Sequence, residues 1–310
     1  MPDLIFHHYP ASPFSEKIRL IFGYKKLNWQ SVIIPVIMPK DDVIALTGGY
    51  RKTPILQIDA DIYCDTALIA EVIEELHPAP TLYPEDTGGQ ARILAQWADS
   101  TLFWTMIPYA MQPAGLQSMF GSIPPAHLQA FVADRKGFRG NSPRMSVTEA
   151  TGCLRIYLDR FERMLGDGRA FFLGGAPTIA DFSIYHSLWF IRRAGPLAAI
   201  IEPHARLEEW MERVKRIGHG ESTELTSSEA IRVASGGDHA SAANLPFLDT
   251  HGIALGERVR IAATDYGIDP VEGELVICAP NEFALRRSDP ASGTVIVHFP
   301  RIGFQMSRAG

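Results

Sequence analysis

Tyr9, Ser12 and Ser15 are the residues whose types and spacing point most directly to chemistry. They lie in Tyr9-Pro10-Ala11-Ser12-Pro13-Phe14-Ser15-Glu16-Lys17-Ile18-Arg19, between the apolar run Leu4-Ile5-Phe6 and a periodic segment through Ile18, Ile21 and Phe22. The pattern predicts strand, turn, then helix. Ser12 suits the N-cap, and Pro13 the first helical position, where its missing N–H costs nothing. Unpaired N–H groups and the positive end of the helix dipole favour an anion there. We read that anion as a thiolate. The simpler alternative is that Ser12 only caps the helix. His7 and His8 sit on a strand, where a histidine is more often packed than a base.

The elements that must position this stretch follow from pattern. Leu4–His8 is a strand, and the helix after it runs to about Lys25. Trp29–Ile34 is a second strand, stopped by Pro35, which makes a βαβ unit with a parallel pair. After an irregular stretch containing Pro39 and Gly48-Gly49 come a strand at Arg51–Ile58, a turn at Asp59–Asp61, and a paired strand at Ile62–Cys64. Asp65-Thr66 opens a helix through Leu68, Ile69, Val72, Ile73 and Leu76, and His77-Pro78-Ala79-Pro80 ends it.

From Gln90 to His219 the chain reads as helical. Helices are expected at Gln90–Met106, near Ala126–Lys136, and at Ser146–Leu165, Ile179–Arg193 and Pro203–Ile217, with breaks that include Pro108, Pro113 and Pro143. Thr178-Ile179-Ala180-Asp181 resembles a capping box. Beyond Gly220, Glu221–Asn244 has linker composition with room for one short helix. Strands at Arg258–Ile261, Gly273–Ile277, Gly293–Phe299 and Ile302–Met306 suggest a small antiparallel barrel or sandwich. The expected division is therefore residues 1–84 (α/β), 85–220 (all-α) and 221–310 (linker and a small all-β module).

Totals bound the function class. The chain has 310 residues, enough for two or three domains, and 29 Lys and Arg against 35 Asp and Glu give a net charge of −6. That is no basic footprint, so nucleic acid is not an expected partner. Cys64, Cys153 and Cys278 form neither a C-x-x-C pair nor a zinc spacing, which fits a reducing compartment, and no metal is expected. With no leader-like start and no bilayer-length apolar run, cytoplasm is the expected location and no membrane association is expected.

Four features in order carry a family resemblance: Ser12-Pro13-Phe14-Ser15, Lys52-Thr53-Pro54, Asp65-Thr66 and Thr178–Asp181. Together they resemble the cytosolic glutathione transferase family, over Met1 to about His219. The resemblance implies a thioredoxin-like N-terminal domain, an all-helical domain, glutathione as co-substrate and a homodimer. The final stretch lies outside the common family pattern. With serine at both ends of the first-helix motif, dithiol exchange is excluded there. The chain looks serine-type, of omega- or zeta-like pattern, with Ser12 as the catalytic hydroxyl and Ser15 and Tyr9 as competitors. A hydroxyl donating to the thiolate is worth about 1.5–3 kcal/mol, or about one to two pKa units.

By the same resemblance, Thr53 presents its backbone to glutathione before a cis bond to Pro54. Asp65 and Thr66 receive the γ-glutamyl end, and Arg51 or Lys52 the glycyl carboxylate. Phe103, Trp104 and Tyr109 belong to an aromatic stretch that suits a hydrophobic electrophile, although such residues are also ordinary core. The implied activity is thiolate attack on that electrophile. Two alternatives stay open: a scaffold whose β module binds a protein partner, and a glutathione-dependent isomerase of the zeta type.

Overall fold

The computed structural model describes residues 2–139, 145–239 and 246–309. Its first part holds β1 (Ile5–His8), α1 (Pro13–Tyr24), β2 (Asn28–Ile33), α2 (Asp41–Thr47), β3 (Ile55–Ile58), β4 (Asp61–Cys64) and α3 (Thr66–Leu76). β1 runs parallel to β2 and antiparallel to β3, and β3 is antiparallel to β4, the thioredoxin-like arrangement. The strands are apolar on both faces because both are covered. Phe6, Leu56 and Tyr63 join the core under α1, α3 and the helices that follow. Ile5, Ile55, Ile62 and Cys64 join a second core on the opposite face. The stretch that reads as irregular contains α2, whose Val43 and Leu46 enter that second core.

The helical part comprises α4 (Gly88–Trp97), α5 (Phe103–Ala110), α6 (Pro113–Phe120), α7 (Pro125–Arg139), α8 (Val147–Met164), α9 (Ile179–Arg192) and α10 (Ala205–Lys215). Where one helix is expected at Gln90–Met106, a π turn at Ala98–Leu102 separates α4 from α5. Pro108 lies inside α5 rather than ending it. The break expected at Pro143 and the linker residues 240–244 fall outside the described residues. Asp181 is fully buried and accepts from the N–H groups of Thr178 (2.9 Å) and Phe172 (3.0 Å) and from Trp210 Nε1 (2.9 Å). The capping box therefore ties three segments of the helical part to the start of α9.

After α10 the chain adds β5 (Glu221–Glu224) beside β2, in parallel. Gly220 enters it with φ 71°, and an added Cβ would stand 2.5 Å from the Leu27 carbonyl oxygen, so the approach requires glycine. Then come α11 (Ser227–Gly236), β6 (Arg258–Ala263), β7 (Val271–Cys278), β8 (Glu282–Asp289), β9 (Gly293–Pro300) and β10 (Phe304–Arg308). β8 escapes the sequence pattern because its second half, Arg286–Asp289, alternates only between exposed and half-buried.

The turn spacing suggests a closed barrel or a sandwich. The strands instead extend the first sheet into one open, ten-stranded sheet ordered β10-β6-β7-β8-β9-β4-β3-β1-β2-β5. β9 pairs in parallel with β4, with Asp61 opposite Ile296 and Tyr63 opposite His298. The physical reason is the free edge of β4, whose backbone groups need partners, and the second core, which the C-terminal strands complete.

His298 is an ordinary strand residue in sequence, but it clasps this junction. Its Nε2 meets Asp61 Oδ1 at 2.9 Å, its Nδ1 contacts Glu282 Oε1, and its ring stacks on Tyr63 at 4.4 Å. Burial alone would lower its pKa; hydrogen bonds and charge from Asp61 and Glu282 outweigh that and raise it. A raised folded-state pKa means stabilisation that is complete below the unfolded value of about 6.5 and is lost as pH rises through the folded value. The stability difference between wild type and His298→Gln, from urea unfolding, is therefore expected to shrink from pH 6 to pH 9. A difference that grows with pH would contradict the clasp.

Candidate functional site

Ser12 caps α1 as its residue type requires. It is buried, with φ −74° and ψ 122°, and its Oγ accepts from Ser15 N–H at 3.1 Å. An oxygen engaged this way still has its own proton to donate elsewhere. Tyr9 stands beside it: the Ser12 N–H donates to the Tyr9 carbonyl (3.1 Å), and the Tyr9 phenol lies close to the Ser12 hydroxyl. Burial pushes that phenol up, with Arg135 and Ser12 opposing, so it stays protonated at neutral pH. Ser15 is placed differently. It is fully buried, and its hydroxyl has no hydrogen-bond partner among the described residues.

Lys40, at the start of α2, closes the same corner. Its ammonium donates to Thr53 Oγ1 at 3.2 Å and lies 5.8 Å from the Tyr9 ring centroid. The residue is only 3% exposed and has no carboxylate within ion-pair distance among the described residues. Burial, then repulsion from Arg135, lowers its pKa to about 8 with Asp134 opposing, so it remains mostly charged at neutral pH. Nothing in Pro39-Lys40-Asp41 marks Lys40 in the sequence; only the fold brings it to Thr53.

The Thr53–Pro54 peptide is cis. Asp65 caps α3 with φ 74° and accepts from Ala67 N–H at 2.9 Å. A non-glycine residue in this region costs about 1–3 kcal/mol and persists only where its surroundings hold it. Burial raises the Asp65 carboxyl, with Lys52 and Lys17 opposing. Thr66 Oγ1 accepts from Lys17 Nζ at 3.2 Å, and the same ammonium pairs with Asp99 Oδ2 at 2.6 Å. Asp99 lies on the π turn and holds His186 Nε2 at 2.9 Å. Burial works against the Asp99 charge, but Lys17 and His186 outweigh it and keep its pKa at about 2. A buried chain of charge thus anchors the start of α3 to the helical part.

Arg51 and Lys52 are not free surface charges. Arg51 Nη2 pairs with Asp134 of α7 at 2.7 Å, and its guanidinium lies 4.9 Å from the Phe138 ring. Lys52 Nζ pairs with Asp265, between β6 and β7, at 2.6 Å. Of the aromatic residues, Trp104 is half-buried and meets Tyr266 edge-on at 5.0 Å. Phe103 packs on Phe14 at 4.8 Å, and the Tyr109 hydroxyl donates to the Leu197 carbonyl at 2.9 Å, so both serve the helical core. The fold therefore gathers Tyr9, Ser12, Thr53, Arg51, Lys52 and Asp65 with Lys40 at one end of the sheet. Trp104 joins them through Tyr266.

His7 and His8 are buried beside this corner, held by Gln57 (2.8 Å) and by Ser31 (2.9 Å) and Arg19 (3.1 Å). Burial lowers their pKa values to about 4 and about 3, with Arg19 adding to the effect at His8. Both are neutral structural groups. No helix among the described residues is long and apolar enough to cross a membrane.

The family model "Glutathione S-transferase, N-terminal domain" matches residues 6–81, and "Glutathione S-transferase, C-terminal domain" matches residues 144–213. A GST-like protein from Pseudomonas syringae is 40% identical, with a TM-score of 0.85, over 100% of both chains, so the match includes the C-terminal strands. A glutathione S-transferase from Rhodospirillum rubrum F11 shares the fold at 22% identity and a TM-score of 0.51, over 68% of this chain and 87% of that one. A curated relative, "Probable maleylacetoacetate isomerase 1" from Drosophila melanogaster, is 31% identical over 97 residues, 29% of this chain and 38% of that protein. The chain thus spans well under half the length of that relative.

Proposed function

The chain belongs to the glutathione transferase family, and from that premise we propose that it binds glutathione at the mouth of α1 and activates its thiolate for attack on a hydrophobic electrophile. The observation that carries this reading is the buried ammonium of Lys40, which forms no ion pair among the described residues, beside Thr53 and the Tyr9–Ser12 pair. A cation kept out of water with no carboxylate partner favours an anionic ligand. Ser12 supplies a proton donor at the positive end of α1, which lowers the pKa of a thiol held there. Asp65 and Thr66 suit an α-amino-acid terminus, the carboxylate for the ammonium and the hydroxyl with free N–H groups for the carboxylate. Trp104 faces the second substrate.

Calorimetric titration with glutathione tests the reading directly: saturable binding is expected at or below millimolar ligand. Heat that does not saturate at that concentration overturns it. A second reading, isomerisation of the zeta type, is favoured by the partial match to the probable maleylacetoacetate isomerase. Here the thiolate would add to a conjugated cis alkene and leave again after rotation, with no net transfer. Assaying a maleyl-type substrate beside a halogenated aromatic separates the two.

A further inference from the structure

Tyr266 reaches the proposed site from the far end of the chain. It lies in the loop between β6 and β7, in the C-terminal region that neither transferase-domain match covers. The Lys52 ammonium is 4.2 Å from its ring centroid. Trp104 meets the ring edge-on at 5.0 Å and 85°, and Phe138 of α7 does so at 5.2 Å and 89°. Tyr266 therefore touches Lys52, a candidate for the glycyl end of glutathione, and Trp104, a candidate for the electrophile side. Its phenol is pushed well above the ordinary value, mainly by burial and then by Asp265 and Asp65, and Tyr9 is among the other groups acting on it.

The placement is built rather than incidental. Asp265, one residue earlier, is paired with Lys52. Gly267, one residue later, donates its N–H to the Phe138 carbonyl at 2.9 Å. Gly267 has φ 58°, and a Cβ there would stand 2.5 Å from the Phe138 ring. Only glycine lets the loop lie this close to α7. The ring of Tyr266 is thus held from both sides in sequence, by an ion pair and by a backbone hydrogen bond.

We propose that Tyr266 is a specificity-determining residue: the C-terminal strands carry it into the substrate site, where its ring forms the wall against which the apolar second substrate packs and limits how far that substrate extends. This rests on the glutathione reading above. The favoured second substrates are apolar, because Trp104 and Phe138 flank the wall with aromatic surface.

The test is calorimetric binding of glutathione and of S-methyl-, S-butyl- and S-hexylglutathione to wild type, Tyr266→Ala, Tyr266→Phe and Tyr266→Trp. Each affinity is taken relative to glutathione on the same variant, and thermal unfolding checks that each is folded. Removing the ring opens apolar space, and each methylene that enters it adds about fourfold. Tyr266→Ala is expected to raise the S-hexyl over S-methyl preference by about tenfold or more. Tyr266→Phe keeps the wild-type preference, and Tyr266→Trp lowers it. A merely structural role would not move this ratio in opposite directions. The same chain-length dependence in the Ala and Trp variants as in wild type overturns the proposal while leaving glutathione binding intact. Wild type that binds none of the four ligands overturns the functional reading and this proposal together.

Discussion

Ser12→Ala is expected to lower kcat/KM for glutathione conjugation by about 10- to 150-fold and to move the alkaline-rising limb of the pH–rate profile up by about one to two units. Ser12 Oγ already accepts from Ser15 N–H, so its proton is the part left to stabilise a thiolate. Losing the hydroxyl also removes a helix cap, which costs about 1 kcal/mol of stability. That is too small to unfold the chain, so turnover and thermal stability separate. Tyr9→Phe is the paired control, since Tyr9 lies beside Ser12 and offers the competing donor. If Tyr9→Phe carries the large loss and Ser12→Ala does not, the roles are exchanged. If neither changes turnover, the catalytic reading gives way to the scaffold.

Lys40→Met is expected to weaken glutathione binding by about 10- to 150-fold, the loss of one charge-assisted contact of about 1.5–3 kcal/mol. Its stability should hold or rise, because a buried cation without a carboxylate partner is replaced by an apolar chain of similar shape. Titration gives a second signature. Burial and the charges of Arg135 and Arg51, against the opposing charge of Asp134, hold the Lys40 pKa at about 8, so its charge is present at pH 7 and fades as pH rises through 8. Wild-type affinity should fall over that interval, apart from the ionisation of the thiol itself, and the fall should be absent in Lys40→Met. Calorimetry at pH 7 and pH 9 checks it, and equal pH dependence in the two proteins would remove Lys40 from the site.

Much of the architecture was legible because local rules and tertiary packing agree. β1, α1 and β2 announce themselves through apolar runs, a serine–proline cap and a proline stop. The Thr178–Asp181 box marks the start of α9. What escaped is equally physical. α2 lies in a stretch of Pro, Asp and Gly whose few apolar residues show their period only once a core stands opposite. β8 was lost because its Arg286–Asp289 half is never fully buried. The C-terminal strands looked like a separate barrel because their turn spacing says nothing about which edge they will find.

The site divides along the same line. By themselves, the residues determined a capped helix with Ser12 at its mouth, a proline-entered strand at Pro54, and a carboxylate–hydroxyl pair at Asp65-Thr66. Each depends on chain neighbours within a turn or two. Only the tertiary structure decided that Lys40 stands over Thr53, that Lys17, Asp99 and His186 steady Thr66, and that Asp265 and Tyr266 return to Lys52 and Trp104. Tyr266 is more than 200 positions from Lys52. Contacts at that separation are made by burying surface and pairing strand edges, which a residue's immediate neighbours do not encode.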